Sequence, residues 1–200
     1  MASLNDETSM ALIRLRLRES MDTTRQLLTS PCVAKAAVVA ARIVDVLSAG
    51  GRVLFFGNGG SAMDAGHLAA ELVGRFYYDR RSLPAMSLSD NTASMTAIAN
   101  DYDYGEVFAR QVRGLGRPGD VLVGLTTSGD SENVVRALCQ GRESGMFTVA
   151  LTGAKGGRVA ESVDLCVQVP TDDTPRVQEA CLHLGHTICE LVEAALLAEG

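Results

Sequence analysis

Residues 57–71 read GNGGSAMDAGHLAAE. His67 and Glu71 stand four apart, so on a helix they lie one turn above the other on a single face. An imidazole and a carboxylate so placed suit two ligands of one divalent metal, or an acid–base pair that moves a proton. The same spacing also serves an ordinary surface pair. The pattern is not H-E-x-x-H, so the metalloprotease arrangement is excluded. The chain has three histidines, and the other two, His183 and His186, follow Gln178 in a helical stretch near the end. Either could sit on the face that meets His67, and spacing does not choose between them.

Immediately before the His/Glu pair, Gly57-Asn58-Gly59-Gly60-Ser61 offers three glycines at a strand-to-helix turn. Free N–H groups and the positive end of the helix dipole at such a turn hold anions. Thr126-Thr127-Ser128-Gly129-Asp130-Ser131 repeats the arrangement with four hydroxyls. Together the two loops suit a phosphate monoester. Neither is G-x-x-x-x-G-K-[ST], which excludes the nucleoside-triphosphate cradle. Neither is G-x-G-x-x-G, which disfavours a dinucleotide.

The elements that position these residues follow from the apolar pattern. Met10 to Leu17 begin a first helix, and Val33 to Leu47 form a second after a break at Ser30-Pro31. Short apolar runs at 53–56, 85–88, 121–125, 148–151 and 165–169 then alternate with helical stretches, ending in a long apolar helix from about Arg176 to Leu197. Continuous apolar strands alternating with helices imply a parallel sheet covered on both faces, in which ligands sit at the carboxyl ends of the strands. GNGGS and TTSGDS fall at such ends. The N-terminal helices and the last helix are left over from this sandwich, and a subunit interface is the expected place for their apolar faces.

Composition bounds the function. The 200 residues are 46% hydrophobic and 21% charged, values of one ordinary globular domain. The formal net charge of −6 argues against nucleic-acid or membrane-surface binding, although a local loop can still take an anion. Five cysteines, none in a C-x-x-C pair, read as buried reduced thiols. MASLNDETSM has no basic patch followed by an apolar run, and no apolar stretch approaches the ~20 residues of a membrane span. A soluble cytoplasmic protein is expected.

Five segments, GNGGSAMDAGHLAAEL, AIANDYDYGEVFARQV, TTSGDSENV, ALTGAKGG and RVQEACLHLGH, occur in that order over roughly residues 50–195. Together they resemble the phosphoheptose isomerases, the sedoheptulose 7-phosphate isomerases of the sugar-isomerase (SIS) superfamily. The resemblance implies one SIS domain over 1–200, an α/β three-layer sandwich of flavodoxin-like type with a five-stranded parallel sheet. Within it, residues 1–50 would supply helices at the subunit interface of a homotetramer, and 51–200 the sugar-phosphate-binding core. It implies interconversion of sedoheptulose 7-phosphate and D-glycero-D-manno-heptose 7-phosphate through an enediol, commonly with zinc. By motif, Asn58, Gly59, Gly60 and Ser61 would contact substrate, Asn100 and Asp101 would bind the sugar, and Thr126, Thr127, Ser128 and Ser131 the phosphate. His67, Glu71, Gln178 and His186 would surround the metal, with Glu71 as base and His186 as acid partner. Gln178 would also touch substrate, and His183 matches no functional position.

Two details of the resemblance set structural expectations. Gln178 and His186 are eight residues apart, roughly 12 Å along an ideal helix. Both reach one metal only if their side chains lean together or the helix starts irregularly. Asp130 stands where the family usually has Asn, so its carboxylate must point outward or be paired to avoid a bound phosphate. The alternatives are a regulatory SIS protein of the DnaA-associating type, which lacks the acid–base set, and an isomerase of another sugar phosphate.

Overall fold

In a computed structural model of the chain, residues 6–198 are described; the first five residues of the segment read as lacking a leader lie outside them. The helices are α1 (Asp6–Thr29), α2 (Cys32–Ser48), α3 (Gly60–Val73), α4 (Thr92–Asp101), α5 (Ala109–Leu115), α6 (Glu132–Glu143), α7 (Val159–Ser162) and α8 (Thr174–Ala198). The strands are β1 (Val53–Gly57), β2 (Ala85–Ser87), β3 (Val121–Thr126), β4 (Phe147–Thr152) and β5 (Leu165–Gln168). All five pair in parallel in the order β2-β1-β3-β4-β5. The expected elements are present, with two short additions: the single turn α7, whose four residues are too few to leave a periodic signal, and a 3-10 turn at Tyr104–Glu106, so that the helix expected from Gly105 begins at Ala109.

The sheet divides the core by residue parity, because successive strand side chains point to opposite faces. Val53, Phe55, Val123 and Leu151 enter the layer of α2, α3 and α8, whereas Leu54, Phe56, Leu122 and Ala150 enter the layer of α5, α6 and α7. β1 and β3 are neighbours, so the loops after them, GNGGS and TTSGDS, stand side by side at the reversal of strand order, where open α/β sheets hold ligands.

Among the described residues, α1 joins this packing only through its last turns and through Arg176 of α8, which donates to Arg16 O at 2.8 Å. It meets α2 at 72° across Ser30-Pro31, and only Thr23 and Leu27 are buried on it. Met10, Leu12, Ile13, Leu15, Leu17, Met21 and Leu28 are exposed. α8 corrects two sequence expectations: by length and composition it could cross a bilayer, and it is not left over for a subunit interface. Its apolar residues Val177, Ala180, Leu184, Ile188 and Val192 are buried in this protomer's own core. The cysteines also divide. Cys32, Cys181 and Cys189 are buried, Cys166 is half-buried, and Cys139 is exposed, contrary to the expectation of burial; all five are free thiols. Burial pushes the Cys181 and Cys189 thiols up to about 12, so both stay protonated.

α3 and α8 lie side by side and parallel, because their contacts advance together along both chains. The Gln178 amide lies against Gly60, so closely that a Cβ there would overlap it. Further along, Leu68 packs on Gly185, where a Cβ would come within 2.8 Å of the leucine side chain. Beyond the end of α3, Arg80 and Glu193 close the contact. The Arg80 guanidinium donates to the carbonyls of Glu71 (2.8 Å), Leu72 (2.8 Å, which also accepts from Leu83 N–H) and Gly74 (3.2 Å), carbonyls at and just past a helix end that lack intrahelical partners. Arg80 Nε lies 3.0 Å from Glu193 Oε1 without forming a hydrogen bond, so this pair is held by charge. Glu193 also accepts N–H donation from Phe76 (2.9 Å), Tyr77 (2.7 Å) and Tyr78 (3.1 Å).

Burial alone would raise the pKa of Glu193, but the three backbone N–H groups and Arg80 together hold it below its ordinary value of 4.5. A carboxylate with a lowered pKa contributes stability that is present above its unfolded pKa and lost as pH falls through its folded pKa. Glu193→Gln should therefore cost on the order of 2 kcal/mol at pH 7, because hydrogen bonds to a charged acceptor are replaced by weaker ones. The gap should narrow as the medium is acidified below about pH 4.5. Denaturant melts of both proteins across this range check it, and a constant gap would contradict the role given to the charge.

Candidate active site

The close passage of α3 and α8 at Leu68 and Gly185 brings the neighbouring residues of each helix face to face. His67 Nε2 lies 2.8 Å from His186 Nε2 and 3.3 Å from Glu71 Oε1. The two rings meet edge to face with centroids 5.0 Å apart. One nitrogen from each imidazole and one oxygen of Glu71 all lie within 4.8 Å of one another, a span that one divalent ion with bonds of about 2 Å can bridge. Two imidazoles and one carboxylate are also a donor set of catalytic zinc sites, which leave a position open for substrate. Burial lowers the His186 pKa below its ordinary value and His67 lowers it further, against opposing pulls from Glu71 and Asp64. His186 is thus neutral at pH 7, the form that binds a metal or donates a single N–H.

The histidine ambiguity is settled by position. His186 joins His67, whereas His183 is exposed beside Ser20, Thr23 and Arg176 on the side facing α1. α8 is helical from Thr174 onward, so no irregular start brings Gln178 and His186 together. Gln178 lies against Gly60 at the start of α3, and His186 against His67 seven residues later, roughly 10 Å along the axis. The site is elongated along the α3–α8 seam.

At the anion end, both α3 and α6 begin without a side-chain cap. Their first N–H groups are the positive ends of two helix dipoles at adjacent strand ends. The Asn58 side chain is already engaged. It exchanges two 2.8 Å amide hydrogen bonds with Asn133 in the first turn of α6, and accepts a third from the Tyr104 hydroxyl at 3.2 Å. This clasp ties the two loops together. In the second loop Thr126 Oγ1 accepts from Gly129 N–H and Ser128 Oγ from Asp130 N–H, which shapes the turn. Asp130 meets the structural expectation: its carboxylate is exposed and accepts the Arg158 N–H at 2.9 Å. Beside it, hydrogen bonds from Arg158 and Arg136 hold the Glu132 carboxyl below the usual range.

Of the residues singled out from sequence, His67, Glu71 and His186 converge, and Asn58, Gly59, Gly60, Ser61, Thr126, Thr127, Ser128 and Ser131 lie on the two adjoining loops. Asn100 and Asp101 end α4, where Asn100 donates to the Asp101 carboxylate at 3.0 Å. Among the described residues no hydrogen bond or ion pair joins them to the His/Glu cluster. Sequence reading missed Asn133, Tyr104, Arg80 and Glu193, whose partners lie far away in the chain. It also missed Asp64, half-buried one turn before His67, whose carboxyl is raised by burial and partly relieved by His67 and His186. Its i,i+3 spacing to His67 was the available signal.

The family model described as the SIS domain matches residues 20–153. A phosphoheptose isomerase of Rhodospirillum rubrum is 52% identical over 167 residues, covering 84% of this chain and 87% of the relative. One of Roseiflexus is 50% identical over 161 residues, 80% of this chain and 82% of the relative. The structure of a phosphoheptose isomerase from Neisseria gonorrhoeae superposes with a TM-score of 0.87 at 37% identity, over 92% of this chain and 98% of the other. With four parallel crossovers, a three-donor cluster on α3 and α8 and these likenesses in hand, the chain belongs to the SIS-domain family, among the phosphoheptose isomerases.

Proposed function

We propose that the chain interconverts sedoheptulose 7-phosphate and D-glycero-D-manno-heptose 7-phosphate. The observation that carries this reading is the convergence of Glu71, His67 and His186 beside two helix N-termini at adjacent strand ends. Aldose–ketose isomerisation moves one proton between C1 and C2 and another between their oxygens. Glu71 removes the C1 proton of the ketose and returns it to C2 of the enediol. His186, neutral at working pH, passes the second proton between O1 and O2. Thr127, Ser128, Ser131 and the free N–H groups of α6 bind the phosphate, with Thr126 shaping the turn. The charged end thereby supplies positioning energy far from the reacting carbons. Gly59, Gly60 and Ser61 contact the sugar, as do Asn58 through its unengaged amide hydrogen and Gln178. Asn100 and Asp101 hold its hydroxyls.

His67, Glu71 and His186 would hold a zinc ion, whereas Gln178, expected from the resemblance as a fourth donor, has its amide against Gly60 at the other end of the seam. An ion held there would supply Lewis-acid polarisation of the substrate carbonyl. The exposed apolar face of α1 supports a homotetramer in which other protomers cover it. A cytoplasmic enzyme of one SIS domain, without nucleic-acid or membrane partners, completes the reading.

Glu71→Gln should lower kcat by about 1,000-fold or more while substrate affinity stays within about tenfold, since a general base acts mainly in the transition state. His186→Ala should be severely impaired and His183→Ala nearly normal in the same assay; the reverse ranking would reassign the acid. Incubation with sedoheptulose 7-phosphate, followed by NMR with and without a chelator, tests the reaction itself. Absence of product in both arms would favour a regulatory SIS protein.

A further inference from the structure

The buried pair beyond the end of α3 has a position that its contribution to stability does not explain. Arg80 and Glu193 have 4% and 1% exposed side chains, yet neither touches the His/Glu cluster with its charged group. Arg80 instead grips the backbone of α3 at Glu71 itself and at Leu72 and Gly74, with Glu71 O accepting at 2.8 Å. Glu193 lies seven residues after His186 on α8, two turns along the same face. It fixes the backbone of Phe76, whose ring packs 5.8 Å from that of His186. The pair thus links the helix carrying His67 and Glu71 to the helix carrying His186, and also seats the aromatic wall behind His186.

Resting on the isomerase reading above, we infer that Arg80 and Glu193 are positioning residues that set the spacing between His67/Glu71 and His186, and through it the divalent-metal affinity and the turnover of the site. The contact is a ligature between two backbones. A guanidinium fork delivers several donors in a fixed plane, which an ammonium does not. The Leu68–Gly185 contact holds the middle of the seam, and the Arg80–Glu193 pair holds its far end. Glu71 and His186 lie between them, and His67 lies directly beside the first. Loss of the pair leaves α3 free to pivot about Leu68, and displacements below an ångström matter most for groups that must converge on one ion.

A structural role and a positioning role separate in the variant R80M/E193L. Replacing a buried ion pair by apolar side chains of similar size is often neutral, but here it also leaves the Phe76, Tyr77 and Tyr78 N–H groups without their acceptor, so circular dichroism and a denaturant melt establish folding before any titration. Titration with Co²⁺ of the metal-free protein should give at least tenfold weaker binding than wild type, the scale seen when supports of metal ligands are removed. In the isomerase assay kcat should fall at least tenfold with KM within about threefold, because the phosphate loops on β3 and α6 are untouched. The milder R80K keeps the charge for Glu193 but not the fork, and should fall between the two. Should the double variant fail to fold, R80K decides on the same readouts. Wild-type Co²⁺ affinity and kcat in the variant that folds would overturn the inference. If wild-type protein converts no sugar phosphate, the isomerase reading falls, while the Co²⁺ titrations still decide the positioning role.

Discussion

The structure depends on how closely α8 can approach α3. At Gly185 the absent side chain lets the helix backbone rest on Leu68, and any Cβ would intrude on the leucine. Residues beside that contact are forced together whatever their chemistry. On α3 the neighbour is His67 and on α8 it is His186, so two imidazole nitrogens end 2.8 Å apart. Glu71 follows one turn later on the same face as His67. A three-donor cluster is therefore a consequence of packing: helix geometry supplies the i,i+4 pair and the crossing supplies the third group.

The strand order performs the corresponding task at the other end. Because β1 lies between β2 and β3, the chain reverses direction across the sheet between β1 and β3, and the loops leaving these strands open next to each other. Each feeds a helix whose N-terminus has no side-chain cap. The Asn58–Asn133 amide pair then fixes the distance between the loops. A chain of net charge −6 can hold an anion here because the local field is made of backbone dipoles, and the carboxylates nearby are engaged. Asp130 accepts from a backbone N–H of the following loop, and Glu132 is held by two arginines.

Local patterns carried much of this into view. The five strands were readable because parallel strands buried on both faces are continuous apolar runs, and His67 with Glu71 because helical spacing is fixed. What stayed hidden depends on tertiary register. His183 and His186 are equivalent by spacing, and only the rotation of α8 against α3 and α1 separates them. Arg80 and Glu193 are 113 residues apart, and nothing in either neighbourhood announces a buried ion pair. Cys139 sits among apolar residues of α6 yet faces outward, because the sheet occupies the opposite face of that helix. The apolar pattern of α8 satisfied a membrane criterion for a related reason: a helix packed on several sides in a core is apolar on those sides too.

The parallel register of α3 and α8 gives the site its shape. Gly60 meets Gln178 at the start of the seam, His67 meets His186 two turns later, and Arg80 joins Glu193 beyond its end. A ligand gripped at the loops must extend along this seam to reach Glu71, and a compact anion such as free phosphate cannot occupy both ends. On the proposed reading, separating the anion loops from the His/Glu cluster would favour a chain with an anionic tail and a reactive head. The His67 side chain is still 47% exposed, so in the protomer the cluster is open to solvent on one side. Enolisation is favoured where water is excluded, and the apolar face of α1 stands uncovered in the same protomer. On the isomerase reading, an assembly that covers this face would remove exposed apolar surface from water, and the same kind of contact at the open side of the cluster would favour the enediolate.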